Sequence, residues 1–133
     1  FIVPDLPLDE SAALRAALDT HGLALVQMVT PVTPPERLAR LCAASQGFVY
    51  AVTMTGTTGK SVAVPAEVID YLERVRAGSQ VPVCAGFGIR SREQVVRLRG
   101  HVDGVVIGSA LVEVLERGES PQDWLATLRH DAG

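Results

Sequence analysis

A chain of 133 residues is the length of one domain and can bury a real core, yet it falls far short of the roughly 250 residues of a complete eight-stranded βα barrel. Twelve basic against 15 acidic residues leave a net charge of −3, which offers no global attraction to nucleic acid or to an anionic membrane; small molecules are the favoured partners. Cys42 and Cys84 lie in apolar periodic segments without metal or redox spacing and read as buried free thiols of a reducing compartment, and no apolar run is long enough to span a bilayer, so the chain reads as cytoplasmic.

Taken in order, Phe1 to Pro4 reads as a short buried strand that begins inside a fold, broken by a Pro-Asp-Leu-Pro turn at 4–7. A helix is expected from Asp9 to Thr20, with Leu14, Ala17 and Leu18 on one face and Gly22 as its stop. Leu23 to Val29 is the second strand. Thr33-Pro34-Pro35-Glu36 then predicts a helix start, with Thr33 as cap, Pro34 in the first position and Glu36 completing a capping box; Leu38, Leu41 and Cys42 face inward. Gly47 to Thr53 is the third strand, and Met54 to Val64 is a run of small residues too long for an ordinary βα turn. Pro65 opens a helix to Gly78 carrying Val68, Leu72 and Val75. Val81 to Ala85 is the fourth strand, and Ser91-Arg92-Glu93-Gln94 starts another capped helix. Asp103 to Ile107 is the fifth strand, leading through Gly108-Ser109 into a helix to Arg117, and Ser120 caps a last helix to Arg129.

Near-continuous apolar strands alternating with helices mark a parallel sheet covered by helices or closed into a barrel. Five βα units with right-handed crossovers and no reversal of order curl toward a barrel, and five of eight strands would leave apolar inner-face side chains in water. The expected class is therefore α/β, a single partial (βα) barrel domain over residues 1–133 with three further βα units lying outside it.

Two glycine turns stand out, Gly86-Phe87-Gly88 and Gly108-Ser109-Ala110, each closing an apolar run and opening a helical one. Without a Cβ the backbone can approach a ligand, and the first N–H groups of the following helix face it. Barrels commonly hold phosphate between the loops after their last two strands, so a shared phosphate grip is the central expectation; glycines that merely relieve turn strain are the plainer one. No Walker spacing is present, because Gly56-Thr57-Thr58-Gly59-Lys60 lacks the interval to a Gly-Lys-Ser/Thr. The 54–64 segment is either a solvated loop or a lid, and Lys60 either approaches phosphate or is simply solvated. Tyr50 points either to the barrel interior or to the helices, and Asp5 either sits where barrels keep catalytic groups or pins its turn through backbone hydrogen bonds. His21, His101 and His130 have no partner spacing.

Val3-Pro4-Asp5-Leu6-Pro7, Gly47-Phe48-Val49-Tyr50, Thr55-Gly56-Thr57-Thr58-Gly59, Gly86-Phe87-Gly88-Ile89 and Gly108-Ser109-Ala110-Leu111, in this order and spacing, resemble the tryptophan synthase alpha subunit over essentially the whole chain, at its fourth to eighth barrel strands. The resemblance implies a TIM barrel that cleaves indole-3-glycerol phosphate to indole and glyceraldehyde 3-phosphate. It implies no cofactor of its own, with pyridoxal phosphate confined to a beta subunit that partners it in an alpha2beta2 heterotetramer. By resemblance the substrate phosphate is held at Gly59, Phe87, Gly88, Gly108 and Ser109. The indole pocket draws on Ile2, Pro4, Met28, Tyr50 and Val106, Thr58 is the lid threonine, and the Asp5–Pro7 turn lies toward the beta partner. Pro4 departs from the small residue usual there in some members. The family's catalytic glutamate and aspartate come from its second strand and the loop after it, which have no counterpart in these residues, and a positioned acid or base contributes roughly 10²–10⁴-fold. Two other readings are a non-catalytic partial barrel that docks on a beta subunit or dimerises, and another phosphate-binding barrel enzyme sharing only the glycine turns.

Overall fold

Apolar runs joined by helical crossovers favour parallel pairing, and here they pair in parallel and in chain order. The computed structural model describes residues 1–53 and 64–129. After a 3₁₀ turn at Leu8–Glu10 and helix α1 (Ala12–Asp19), strands β1 (Gln27–Val29), β2 (Val49–Val52), β3 (Val83–Gly86) and β4 (Gly104–Val106) alternate with α2 (Pro35–Ala44), α3 (Ala66–Gly78) and α4 (Arg92–Leu98). Helices α5 (Ser109–Glu116) and α6 (Pro121–Arg129) close the chain. The sheet has four strands in the order β1-β2-β3-β4, all parallel. This is an α/β fold, the parallel-strand and covering-helix layout of a partial barrel.

Register places Val29, Ala51, Ala85 and Val105 in one row across the sheet. That row faces the helices: Val29, Val49, Ala51, Val83 and Ala85 form one buried cluster with Leu41, Cys42, Tyr71, Leu72 and Val75. Each valine or leucine of this cluster taken wholly out of water contributes about 1.5–3 kcal/mol. Tyr71 brings a hydroxyl into this cluster and donates it to the carbonyl of Val29 at 2.9 Å, where β1 ends. The buried polar group is thereby satisfied. Burial also raises the Cys42 thiol, so it stays protonated and unreactive within the core.

The amino end of the sheet is tied by charge. Asp103 accepts the Val83 N–H at 2.8 Å through Oδ2 and meets Arg76 of α3 at 3.6 Å through Oδ1. Arg76 also donates to the Gly100 carbonyl at 2.6 Å, and His101 Nδ1 lies 2.5 Å from Glu73. These contacts join α3 to the α4–β4 connection.

Several expected details differ. The strand at Phe1 to Pro4 is reduced to a parallel bridge between Ile2 and Val26, because the prolines at 4 and 7 remove donors and turn the chain. The Pro4–Pro7 turn is closed by the Leu6 N–H donating to the Val3 carbonyl at 3.2 Å, main chain to main chain, rather than by Asp5. Strand pairing also starts late in the Leu23–Val29 run. Helix α2 begins one residue later than expected, with Pro34 as a cap that makes no side-chain bond. Thr33 instead accepts the Thr30 N–H at 2.9 Å, so the expected capping box is absent. Ala17 is exposed, and α1 buries Leu18. Helix α4 does carry its box, with Ser91 and Gln94 reciprocally bonded. The Met54–Val64 loop lies outside the described residues apart from Val64, and so does His130.

Tyr71→Phe removes the hydroxyl's bond to the Val29 carbonyl and is expected to lower unfolding free energy by about 0.5–1.5 kcal/mol in urea titration. Burial holds the Tyr71 phenol above its ordinary 10.0, so above pH 10.0 the unfolded chain releases this proton while the folded chain keeps it. Stability therefore falls as pH rises past that point, and the alkaline slope should be shallower in Tyr71→Phe.

Candidate functional site

On the sheet face away from the helices the register gives two further rows, Met28–Tyr50–Cys84–Gly104 and Val52–Gly86–Val106. Alternation settles Tyr50: its neighbours Val49 and Ala51 face the helices, so its ring turns to the opposite side. Met28, Val52, Cys84 and Val106 on this face are only half-buried, whereas Val29, Ala51, Val83 and Ala85 on the helix side of the first three strands are fully covered. Ile2 joins the same face through its bridge to Val26, and Pro4 lies beside Met28 in a cleft of about 290 Å³ that Asp5 and Arg37 also line. Ile2, Met28, Tyr50 and Val106 thus share one surface, with Pro4 at its rim. The two rows carry no carboxylate.

Strand β3 ends at Gly86 and pairs there with Val106, the last residue of β4. The Phe87-Gly88 and Gly108-Ser109 turns therefore leave neighbouring parallel strands at the same, carboxyl end of the sheet. Gly108 stands immediately before α5, and a Cβ added there would meet nothing within 4 Å. That open space suits close approach by a ligand.

Gly86 has a different reason. A Cβ built on it would collide with the hydroxyl and Cζ of Tyr50 and lie 2.7 Å from Cε1. The space expected for a ligand is filled by the protein's own phenol, which crosses the strand and meets Phe87 edge to face, ring centroids 5.9 Å apart at 64°. Burial raises the Tyr50 phenol and keeps it neutral. Phe87 is the one described non-glycine residue with positive φ, at 71°, and Gly88 follows at 72°. A conformation of that kind costs a bulky residue of order 1–3 kcal/mol and persists only where its surroundings hold it.

Thr53 and Gln94 supply that hold. Thr53 Oγ1 lies 2.8 Å from both the Gly86 and Phe87 carbonyls, and Gln94 Nε2 donates to the Gly88 carbonyl at 3.0 Å. Gln94 Oε1 accepts the Arg90 N–H at 2.8 Å, and the Arg90 guanidinium pairs with Glu113 of α5, linking one turn to the helix that follows the other. Sequence reasoning did not single out Thr53; its signal is a hydroxyl at the last position of an apolar strand. Gln94 was visible as a capping residue, but not as a brace for the turn before it.

Of the expected phosphate residues, Phe87, Gly88, Gly108 and Ser109 stand at the carboxyl end, while Gly59, with Thr58 and Lys60, lies outside the described residues. Neither described histidine belongs to this end: His21 Nδ1 is 2.9 Å from the Ala17 carbonyl, and His101 pairs with Glu73. Burial and the nearby Asp103 charge both raise the Cys84 thiol. Among the described residues no cluster could hold a metal ion, and no helix is long and apolar enough to cross a membrane.

A family model described as tryptophan synthase alpha chain matches residues 1–132. The chain is similar to the tryptophan synthase alpha chain of Solidesulfovibrio magneticus, 46% identical over 129 residues, covering 97% of this chain and 50% of that protein. It is similar also to that of Carboxydothermus hydrogenoformans, 43% identical, covering 86% of this chain and 43% of that protein. Among solved structures, the tryptophan synthase a2b2 complex of Pyrococcus furiosus aligns at a TM-score of 0.82 and 35% identity, covering 96% of this chain and 52% of that one. Mycobacterium tuberculosis tryptophan synthase aligns at 0.78 and 38%, covering 96% and 48%. The chain spans about half the length of the relatives it matches. With sequence and fold in agreement over nearly every residue, the chain belongs to the tryptophan synthase alpha chain family.

Proposed function

We propose that these residues form the phosphate-holding and indole-lining part of a tryptophan synthase alpha chain, a lyase of tryptophan biosynthesis that cleaves indole-3-glycerol phosphate to indole and glyceraldehyde 3-phosphate. The observation that carries the reading is the pairing of Gly86 with Val106, which sends two glycine turns out of the sheet side by side. Backbone N–H groups there, with the Ser109 hydroxyl at the start of α5, suit a phosphate dianion. The apolar face of Ile2, Met28, Tyr50 and Val106, with Pro4 at its edge, suits the flat indole ring. Gly59 and Thr58 complete the two sets by resemblance.

Cleavage breaks the carbon–carbon bond between the indole ring and the glycerol chain. A general acid protonates the ring carbon, and a general base removes the proton of the adjacent glycerol hydroxyl as its carbon becomes an aldehyde. Tyr50, kept neutral by burial, is unsuited to act as that base at neutral pH. The acid–base pair is assigned to the part of the family's barrel that these residues do not cover. Residues 1–133 are then one partial barrel domain.

The reaction needs no cofactor of this chain; pyridoxal phosphate belongs to a beta subunit. That subunit is the proposed macromolecular partner, as in the alpha2beta2 assembly named for Pyrococcus furiosus, with the Asp5–Pro7 turn toward it. The reading carries a cytoplasmic location and no binding of nucleic acid or membrane. Family membership favours neither a non-catalytic docking module nor an unrelated phosphate-binding barrel.

Calorimetric titration tests the reading: indole-3-glycerol phosphate should bind more tightly than ribose 5-phosphate, and the reverse order would overturn it. Ser109→Ala should weaken that binding about ten-fold, the scale of one hydrogen bond to a charged group. Gly86→Ala forces Tyr50 from its place and should cost about 1–3 kcal/mol in chemical denaturation, with loss of the ring contact to Phe87 visible in tyrosine fluorescence.

A further inference from the structure

We propose that Thr53 is a positioning residue of the anion-binding turn: its hydroxyl holds the Phe87 carbonyl, together with that of Gly86, against the sheet and so turns the Gly88 N–H toward a bound phosphate. The proposal rests on the phosphate reading above and deepens it. Thr53 needs no hydroxyl for strand pairing, because its own N–H already donates to the Gly86 carbonyl at 3.0 Å. The side chain adds a second hold, and one of its two acceptors, the Phe87 carbonyl at 2.8 Å, lies past the end of β3.

In a trans peptide the C=O and N–H of one unit point in opposite directions. The Gly86 carbonyl is already placed by the Thr53 N–H, so the hydroxyl's own effect is to draw the Phe87 carbonyl toward Thr53 and thereby direct the Gly88 N–H away from it. On the far side Gln94 takes the Gly88 carbonyl at 3.0 Å, which fixes the Ile89 N–H in turn. Three successive carbonyls are thus held by side chains within the protein. The arrangement accounts for the left-handed Phe87, at φ 71°, in a position where its side chain is 51% exposed and too little covered for packing alone to hold it. One hydroxyl proton serves two carbonyls, so a methyl of the same shape cannot replace it.

The test uses the full chain, with Thr53→Val and Thr53→Ala removing the hydroxyl and Thr53→Ser keeping it. Folding of each is read from the core amide resonances around Tyr71. Inorganic phosphate is titrated while the Gly88 amide shift is followed, and the Tyr50–Phe87 ring cross-peak is recorded without ligand. Removing the hydroxyl should weaken phosphate binding about ten-fold and diminish the cross-peak, and Thr53→Ser should restore both. Phosphate affinity within two-fold of the parent in Thr53→Val or Thr53→Ala overturns the proposal, as does a Thr53→Ser variant no better than they are. If the parent chain binds no phosphate, the phosphate reading itself fails and the proposal stated on it falls too; the cross-peak then shows separately whether the hydroxyl orders the turn.

Discussion

Gly86 has no Cβ, and the phenol of Tyr50 lies in the space a Cβ would take. Around that single omission the carboxyl end of the sheet is arranged. Tyr50 can cross from β2 over β3, its ring can meet Phe87 edge to face, and Phe87 can take up the left-handed backbone that starts the turn. Parallel register does the rest, because it ends β3 and β4 at the same level and sends both glycine turns out together. The same alternation that buries Val49 and Ala51 under α2 and α3 turns Tyr50 the other way.

The two faces of the sheet therefore differ in kind. Toward the helices, Val29, Ala51, Val83 and Ala85 are sealed from water, and the sole buried hydroxyl contributed there by α3 is satisfied on the Val29 carbonyl. On the opposite face the half-covered Met28, Val52, Cys84 and Val106 give an apolar surface suited to a flat aromatic ligand. Strain sits with the site: the positive φ of Phe87 is borne where ligand contact is proposed, while the helix-facing core keeps ordinary backbone geometry.

Much of this is legible in the residues. Runs such as Val81–Ala85 and Asp103–Ile107 alternate with capped helices in the pattern of parallel strands, and the glycines after them mark the end where a ligand site belongs. What periodicity could not give is which neighbour fills a gap. The glycine at 86 looked like an opening for a ligand, yet it accommodates a tyrosine thirty-six positions away in the chain, a long-range packing fact invisible to local pattern. Thr33 looked like a helix cap because its spacing to Glu36 fits the box, but consecutive prolines moved the helix start and its hydroxyl closed the preceding turn instead. The first strand is shorter than its composition suggests for a related reason: Phe1-Ile2-Val3 has strand propensity, and the adjoining prolines limit it to one bridge. Thr53 was hidden because a threonine at a strand end is ordinary, and only the positions of two carbonyls distinguish it.

The polar contacts described between α3 and the α4–β4 connection lie at the other end of the sheet from the glycine turns. Arg76, Asp103, His101 and Glu73 anchor β3 and β4 where those strands begin, far along the chain's direction from the residues that would meet a substrate. Such a division of labour lets natural drift rework ligand preference through the turns without loosening the scaffold's footing, and it makes those turns the natural place to graft a new specificity onto this framework.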